Sequence, residues 1–351
     1  MCHGGVDLGE LRAAVGDALV VAPDVVDGYR LDRAHFCPAG VPLGLVRARS
    51  RDDVVATLRW ASAHRVPVVP QGARTGLSGG ANAVDGCLLL SLDQMTAIRA
   101  IDPVERIAVV ETGVRNADLT RACWEHGLTY PPDPSSWEIS TIGGNVATNA
   151  GGLCCVKYGV TREYVRALEV VLADGRVLRT GTATAKGVAG YDLTSLLVGS
   201  EGTLGVVTEV TVRLVPRPAD PLTAVAFFGS ARGACETVLD HRASGARPSM
   251  LELMDRGSLE AVARLKDLGF PEGTGAMLLV QSDDPDRAGA DATTSAAASA
   301  RAMLAMAAAD RWGVSWEECE AEGGFIVNGK KVKEGEMSLA ELDAAVAEAS
   351  K

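Results

Sequence analysis

The sequence predicts an α+β protein in two parts, on three observations. An apolar strand, a helix and a second apolar strand follow one another between Pro42 and Pro70, which is a strand–helix–strand unit. From about residue 106 short β-rich runs alternate with turn residues, the texture of antiparallel sheet. Pro216, Pro218 and Pro221 then fall within six residues and mark a linker. The length of 351 residues agrees, since about 150 residues per domain gives roughly two domains.

The elements follow in order. Residues 1–37 read as a helical lead-in, with Leu8, Leu11, Val15 and Leu19 on one stripe. Strand Pro42–Ala48, helix Arg51–His64 (Val54, Val55, Leu58 and Ala61 on one face), strand Val66–Pro70 and strand Gly86–Leu92 come next. Arg106–Glu111, Leu168–Leu172, Val177–Thr180 and Val206–Leu214 read as strands, with one or two helices among them, and Asp174-Gly175 joins two of the strands as a hairpin turn. Beyond the linker, Leu222–Phe228, Met250–Asp255 and Ala276–Gln281 read as strands, Ala231–Ala243 as a helix and residues 285–311 as an Ala-rich helix. Residues 312–351 form a tail that closes with a helix from Ser338, which stands in capping-box spacing with Glu341.

Composition excludes several function classes. The formal net charge of −11 argues against nucleic acid, which recruits basic surfaces. A 47% hydrophobic and 23% charged chain is ordinary globular usage, not disorder. No apolar run reaches the roughly 20 residues of a membrane span. Met1–Glu10 lacks a basic start followed by an apolar stretch, so no secretory signal is expected and the cytoplasm is the default. None of the eight cysteines forms a Cys-x-x-Cys pair, and the five histidines have no metal-ligand spacing, so reduced thiols and no metal are expected.

Glycine carries the information. There are 39 in the chain, about 11% against a usual figure near 7%, and they are bunched. The first bunch, Gln71–Gly80, leaves a strand end. Its glycines let the backbone turn sharply, its successive N–H groups can form an anion nest, and Thr75, Ser78 and Arg74 add donors. A plain tight loop uses the same residues. The second, Ser140–Gly152, has almost no large side chain, so a broad flat ligand could lie on the backbone, with Asn and Thr groups at its polar edge. Two closely crossing backbones need the same composition. The third, Gly199–Gly205, leads into a strand.

Other motifs fail. No dinucleotide Gly-x-Gly-x-x-Gly unit and no Gly-x-Ser-x-Gly elbow is present. Gly324–Lys331 approaches a nucleotide P-loop, but Lys331 replaces the hydroxyl residue that holds magnesium.

The clusters in this order resemble the flavin-binding domain of the vanillyl-alcohol oxidase and p-cresol methylhydroxylase superfamily. Within it they are most similar to the glycolate oxidase FAD-linked subunit and the D-lactate and D-2-hydroxyglutarate dehydrogenases. The resemblance is carried by Val69–Gly80, Pro132–Ser135, Thr141–Asn145 with Thr148–Gly152, Lys157-Tyr158-Gly159, Gly190–Leu193 and Gly199–Gly205. It implies a p-cresol methylhydroxylase-type FAD domain of two α/β subdomains over 38–217, and a partial α+β substrate (cap) domain over 218–311.

The resemblance also implies the contacts of the cofactor. The pyrophosphate would meet Pro70, Gly72, Ala73, Arg74, Thr75, Gly76, Leu77 and Ser78. The flavin and ribityl chain would meet Pro132, Asp133, Thr141, Ile142, Gly143, Gly144, Ala147, Thr148, Asn149, Gly151, Gly152 and Tyr158. The adenosine end would meet Glu201, Gly202 and Val207. The family often has Arg at the position of Gln71 and Gly at that of Arg74. Thr75 stands where covalent relatives carry His, which implies noncovalent FAD. The implied activity is oxidation of a 2-hydroxy acid by hydride transfer to the flavin, with a separate electron acceptor. The family's His-x-Gly-Asp-Gly-Asn-x-His and Glu-His-Gly stretches do not occur here, so no residue is assigned to catalysis. The alternative is an accessory or truncated flavin-binding subunit whose substrate domain is completed by a partner subunit.

Overall fold

The computed structural model describes residues 6–286, apart from 35, 219, 244, 267 and 272, together with 319–322 and 325–328. The chain divides into two units. One comprises Met1–Gly152 and Gly159–Arg217, the other Leu153–Tyr158 and Pro218–Lys351.

The first unit opens with α1 (Gly9–Val15), β1 (Leu19–Val20) and α2 (Pro23–Asp27). The lead-in is therefore not wholly helical. Leu19 leaves the helical stripe because β1 pairs antiparallel with β2 (Gly44–Arg47) and joins the sheet. Leu11 and Val15 pack in the same core as Val54 and Leu58 of α3 (Arg51–His64). The α3 start is fixed by a reciprocal cap: Asp53 N donates to Ser50 Oγ at 3.2 Å and Ser50 N to the Asp53 carboxylate at 3.1 Å. Such caps contribute about 1 kcal/mol. β3 (Val68–Gln71) and β4 (Leu88–Ser91) complete a sheet of order β1-β2-β4-β3, with β2 and β3 both parallel to β4. β4 is central and covered on both faces. Leu88 and Leu90 face the α3 core, and Leu89 joins Leu45 and Val69 on the other side. This explains its unbroken apolar run.

The second sheet contains β5 (Ile98–Asp102), β6 (Ile107–Glu111), β8 (Val165–Val171), β9 (Val177–Gly181) and β10 (Val206–Arg213). Its order is β5-β6-β10-β8-β9 and every pairing is antiparallel. The β8–β9 hairpin turns at Asp174-Gly175, where Gly175 takes φ +79°. Within the sheet, buried Glu169 accepts from Arg179 at 2.9 Å and Thr208 at 3.0 Å, and pairs with Arg51 at 3.4 Å. Burial alone would raise its pKa, but these partners outweigh it and hold the carboxyl below the ordinary range. Four further pieces of the unit are α4 (Asn116–Trp124), β7 (Leu128–Thr129), α5 (Ile142–Thr148) and α7 (Leu193–Leu197), and β7 pairs with β11 (Val215–Pro216).

The second unit takes α6 (Cys155–Tyr158), then β12 (Leu222–Phe228), α8 (Ala231–Ala243), β13 (Met250–Asp255), α9 (Arg256–Leu265) and β14 (Ala276–Ser282). Its sheet has order β12-β14-β13, and its core gathers Phe228, Ala234, Ala276, Leu278 and Val280. Lys157 and Tyr158 both bond the buried Asp283 carboxylate. β15 (Cys319–Glu322) and β16 (Phe325–Asn328) form a hairpin, so part of the P-loop near miss is strand. The rest of that motif, most of the Ala-rich helix and the helix from Ser338 lie outside the described residues. No described helix is long and apolar enough to cross a membrane, and no metal-binding cluster occurs among the described residues.

Candidate functional site

The three glycine bunches, distant in sequence, meet pairwise in the first unit. Each meeting needs a missing side chain. A Cβ on Gly72 would strike Thr141 Oγ1, one on Gly80 would strike the Glu201 carboxylate, and one on Gly202 would strike the ring of Pro70, the residue before the first bunch's Gln71. The third bunch is also tied to the second by backbone bonds, Gly199 N to Val146 O and Glu201 N to Ala147 O, both 2.9 Å. Between them lies a cleft of about 430 Å³, within the size range of small-molecule sites.

The cleft is lined by Pro70, Gly72–Ser78, Thr141, Gly143, Gly144, Ala147, Thr148, Asn149, Gly151, Glu201, Gly202 and Val207. Five of the residues implied by resemblance are placed elsewhere. Ile142 is fully buried as the core-facing side of α5. Gly152 is pressed against the Asp133 carbonyl, so that Pro132, Asp133 and Gly152 make a backbone crossing rather than a wall. Tyr158 belongs to the second unit and donates to Asp283.

The two readings of the second bunch are both realised, at different glycines. A Cβ at Gly143 would collide with Thr112, and one at Gly152 with Asp133, which is close crossing. At Gly144 it would meet only the neighbouring Thr141 hydroxyl, at 3.1 Å. The bunch is also not flat chain: residues 142–148 are helical, capped by Thr141 Oγ1, which accepts from Gly144 N at 3.2 Å.

Sequence reasoning missed other lining residues, among them Asp32, Leu92, Thr112, Ser136, Asn145 and Leu197. Asn145 lies inside the quoted motif and had a signal. Asp32 had none, since it arrives from the lead-in, where its backbone N–H donates to Asn82 Oδ1 at 2.7 Å.

The exchange of residues at 71 and 74 has a structural account. Gln71 is buried, and its Nε2 donates to Tyr29 O at 2.8 Å and Ala81 O at 2.7 Å, pinning both ends of the loop. Arg74 lies with its guanidinium 4.1 Å from the Tyr29 ring centroid. It adopts φ +55°, a left-handed conformation that suits glycine. Among the described residues, the charged ones lining the cleft are Asp32, Arg74 and Glu201. Asn145 Nδ2, a buried donor, and Gln71 Oε1, a buried acceptor, have no hydrogen-bond partner among the described residues, and both residues line the cleft. An elongated ligand carrying phosphates and ring carbonyls fits this set of amide, hydroxyl and guanidinium donors.

Comparison with known proteins decides the family. Residues 42–181 match the FAD binding domain model, and residues 217–324 match the model for the C-terminal domain of FAD linked oxidases. The chain belongs to the FAD-linked oxidases. FAD is the cofactor of such domains, and the cleft walls from Pro70 to Gly151 lie within residues 42–181, while Asp32 and the Leu197–Val207 wall lie outside them.

Among relatives of this chain, the glycolate oxidase subunit GlcD of Bacillus subtilis is 46% identical over 245 residues, covering 70% of this chain and 52% of the relative. A D-lactate dehydrogenase of Anaerostipes hadrus is 37% identical over 238 residues, 68% of this chain and 50% of the relative. A D-2-hydroxyglutarate dehydrogenase of Stutzerimonas stutzeri is 41% identical over 218 residues, 62% of this chain and 46% of the relative. The chain spans about half the length of these curated relatives. An alkyldihydroxyacetonephosphate synthase structure superposes with TM-score 0.73 at 18% identity, over 86% of this chain and 60% of that one. That likeness shows the shared α+β fold, in agreement with the expectation of a p-cresol methylhydroxylase-type domain.

Proposed function

We propose that this chain carries the flavin of an oxidoreductase acting on a 2-hydroxy acid of the glycolate, D-lactate or D-2-hydroxyglutarate class, with FAD held noncovalently in the cleft of the first unit. The observation that carries this is the pairwise meeting of the three glycine bunches around one cleft, taken with relatives whose names specify 2-hydroxy-acid chemistry.

Bound FAD supplies the acceptor for a substrate hydride. The protein's own residues do the rest. The Gly72–Ser78 loop takes the pyrophosphate, with backbone N–H groups, the hydroxyls of Thr75 and Ser78 and the Arg74 charge. Thr141, Asn145, Thr148 and Asn149 present hydroxyl and amide groups to the ribityl chain and ring edge. Glu201, Gly202 and Val207 meet the adenosine end. These residues bind and orient the cofactor, and none of them is assigned as the base for the substrate hydroxyl. Thr75 stands where covalent relatives carry His, and acid precipitation is expected to release all the flavin into the supernatant. A separate electron acceptor and a partner subunit complete the proposed system.

The test is anaerobic mixing of FAD-loaded protein with glycolate, D-lactate and D-2-hydroxyglutarate. Loss of the visible flavin absorbance with one of them is expected. Unchanged absorbance with all three, from protein that is fully FAD-loaded, overturns the substrate assignment. Protein that takes up no FAD overturns the site itself.

A further inference from the structure

A second cavity, of about 650 Å³, shares Gly72, Ala73, Arg74 and Thr141 with the first as a common wall. Its character is different. Three arginines line it, Arg47, Arg74 and Arg115, against two carboxylates, Asp93 and Asp118.

The charges inside are poorly matched. Arg74 is committed to the Tyr29 ring. Asp118 pairs with Arg121 at 3.5 Å. Arg115, the residue preceding α4, has no carboxylate within ion-pair distance among the described residues. Arg47 reaches Asp93 only at 3.8 Å, through Nη2. Among the described residues, the buried Arg47 Nε and Asp93 Oδ1 have no hydrogen-bond partner. The other Asp93 oxygen accepts from Tyr29 OH at 3.3 Å. A buried donor and a buried acceptor left unmade on adjoining side chains cost free energy. The two side chains are nevertheless 37% and 29% exposed, and a ligand that offers an oxyanion to the guanidiniums and a hydroxyl to the carboxylate pairs with the atoms they present. Guanidinium forks favour carboxylate or phosphate, and an ionised carboxylate only accepts, so Asp93 selects a donor.

We propose that this cavity is a second binding site, for a small hydroxylated oxyanion, with Arg47 and Arg115 holding the anionic group and Asp93 accepting the ligand hydroxyl. The chemistry is shared by hydroxy acids and by phosphate esters of polyols. The site does not depend on the redox reading above, because Arg47, Arg115 and Asp93 have no part there; only the wall of Gly72, Ala73, Arg74 and Thr141 is shared.

The test is isothermal titration of FAD-saturated protein at low ionic strength with two matched pairs of probes. 2-Hydroxyisobutyrate, whose carbinol carbon bears no hydrogen and cannot be oxidised, is compared with isobutyrate. Glycerol 3-phosphate is compared with ethyl phosphate. Saturable binding of the hydroxylated member of one pair, about fivefold or more tighter than its twin, is expected, and the pair that responds identifies the carboxylate or the phosphate source. Arg115→Gln should weaken it about tenfold, the loss of one charge-assisted contact. Arg115→Lys should weaken it less, and Asp93→Asn should erase the preference for the hydroxyl. Flavin content should stay unchanged in the exposed Arg115 variants. The proposal is overturned by absence of saturable binding for all four probes, or by binding that Arg115→Gln and Asp93→Asn leave unaltered.

Discussion

The first and second glycine bunches have similar composition and opposite construction. Residues 72–80 carry no helix or strand, and Arg74 and Gly79 both take positive φ. Residues 142–148 fold as a capped helix whose Ile142 and Val146 are fully buried. Small residues thus serve two ends. In the loop they permit a conformation; in the helix they permit an approach. A composition count cannot separate the two, whereas a Cβ placed at each glycine does.

The largest expected effect falls on the approach side. Gly143→Val puts branched bulk onto Thr112, whose backbone as well as side chain is in the way. Destabilisation of about 3 kcal/mol or more is expected in denaturant titration. A variant within about 1 kcal/mol of the parent would break the distinction. Next comes the junction of the two bunches. Gly72→Ala displaces the Thr141 hydroxyl, and Thr141→Ala alone loses the α5 cap, about 1 kcal/mol. In the double variant the two costs should be clearly less than additive, since the alanine at 141 removes the atom that the new methyl meets. Strict additivity would place the strain elsewhere.

On the loop side, Arg74→Gly removes a strained φ, which costs of order 1 kcal/mol, and a cation–π contact of about 0.5–1 kcal/mol. Stability should change by less than about 0.5 kcal/mol while FAD affinity falls severalfold. Fluorescence titration with FAD alongside thermal melts separates the two. The smallest effect concerns the sheet that supports α5. Glu169 has its folded pKa depressed, so its contribution is present at neutral pH and is lost as pH falls below the ordinary glutamate range of about 4.3. Its arginine partners are largely exposed, which limits the effect to a few tenths of a kcal/mol, roughly the low end for such pairs. Glu169→Gln should flatten that acid limb of the stability profile; an unchanged slope would assign the limb to other carboxylates.

Local signals were read well where one short segment decides its own conformation. Helix Arg51–His64 coincides with its apolar stripe, and Asp174-Gly175 turns the hairpin. The two-residue β1 was not legible, because only pairing with β2 makes it a strand. α5 was not legible either. Gly143 and Gly144 lower helix propensity by about 1 kcal/mol each, and burial against the sheet overrides that. Of the cleft, the motif segments were legible and Asp32 was not, since its position follows from a loop closed across fifty residues.

The Gln71 side chain joins the carbonyls of Tyr29 and Ala81, and so it is a strut whose two anchors are protein atoms. The curvature of the segment it braces is thus encoded by the polypeptide itself. Little chain ordering then accompanies cofactor capture, so the calorimetric signature should reflect surface desolvation more than folding.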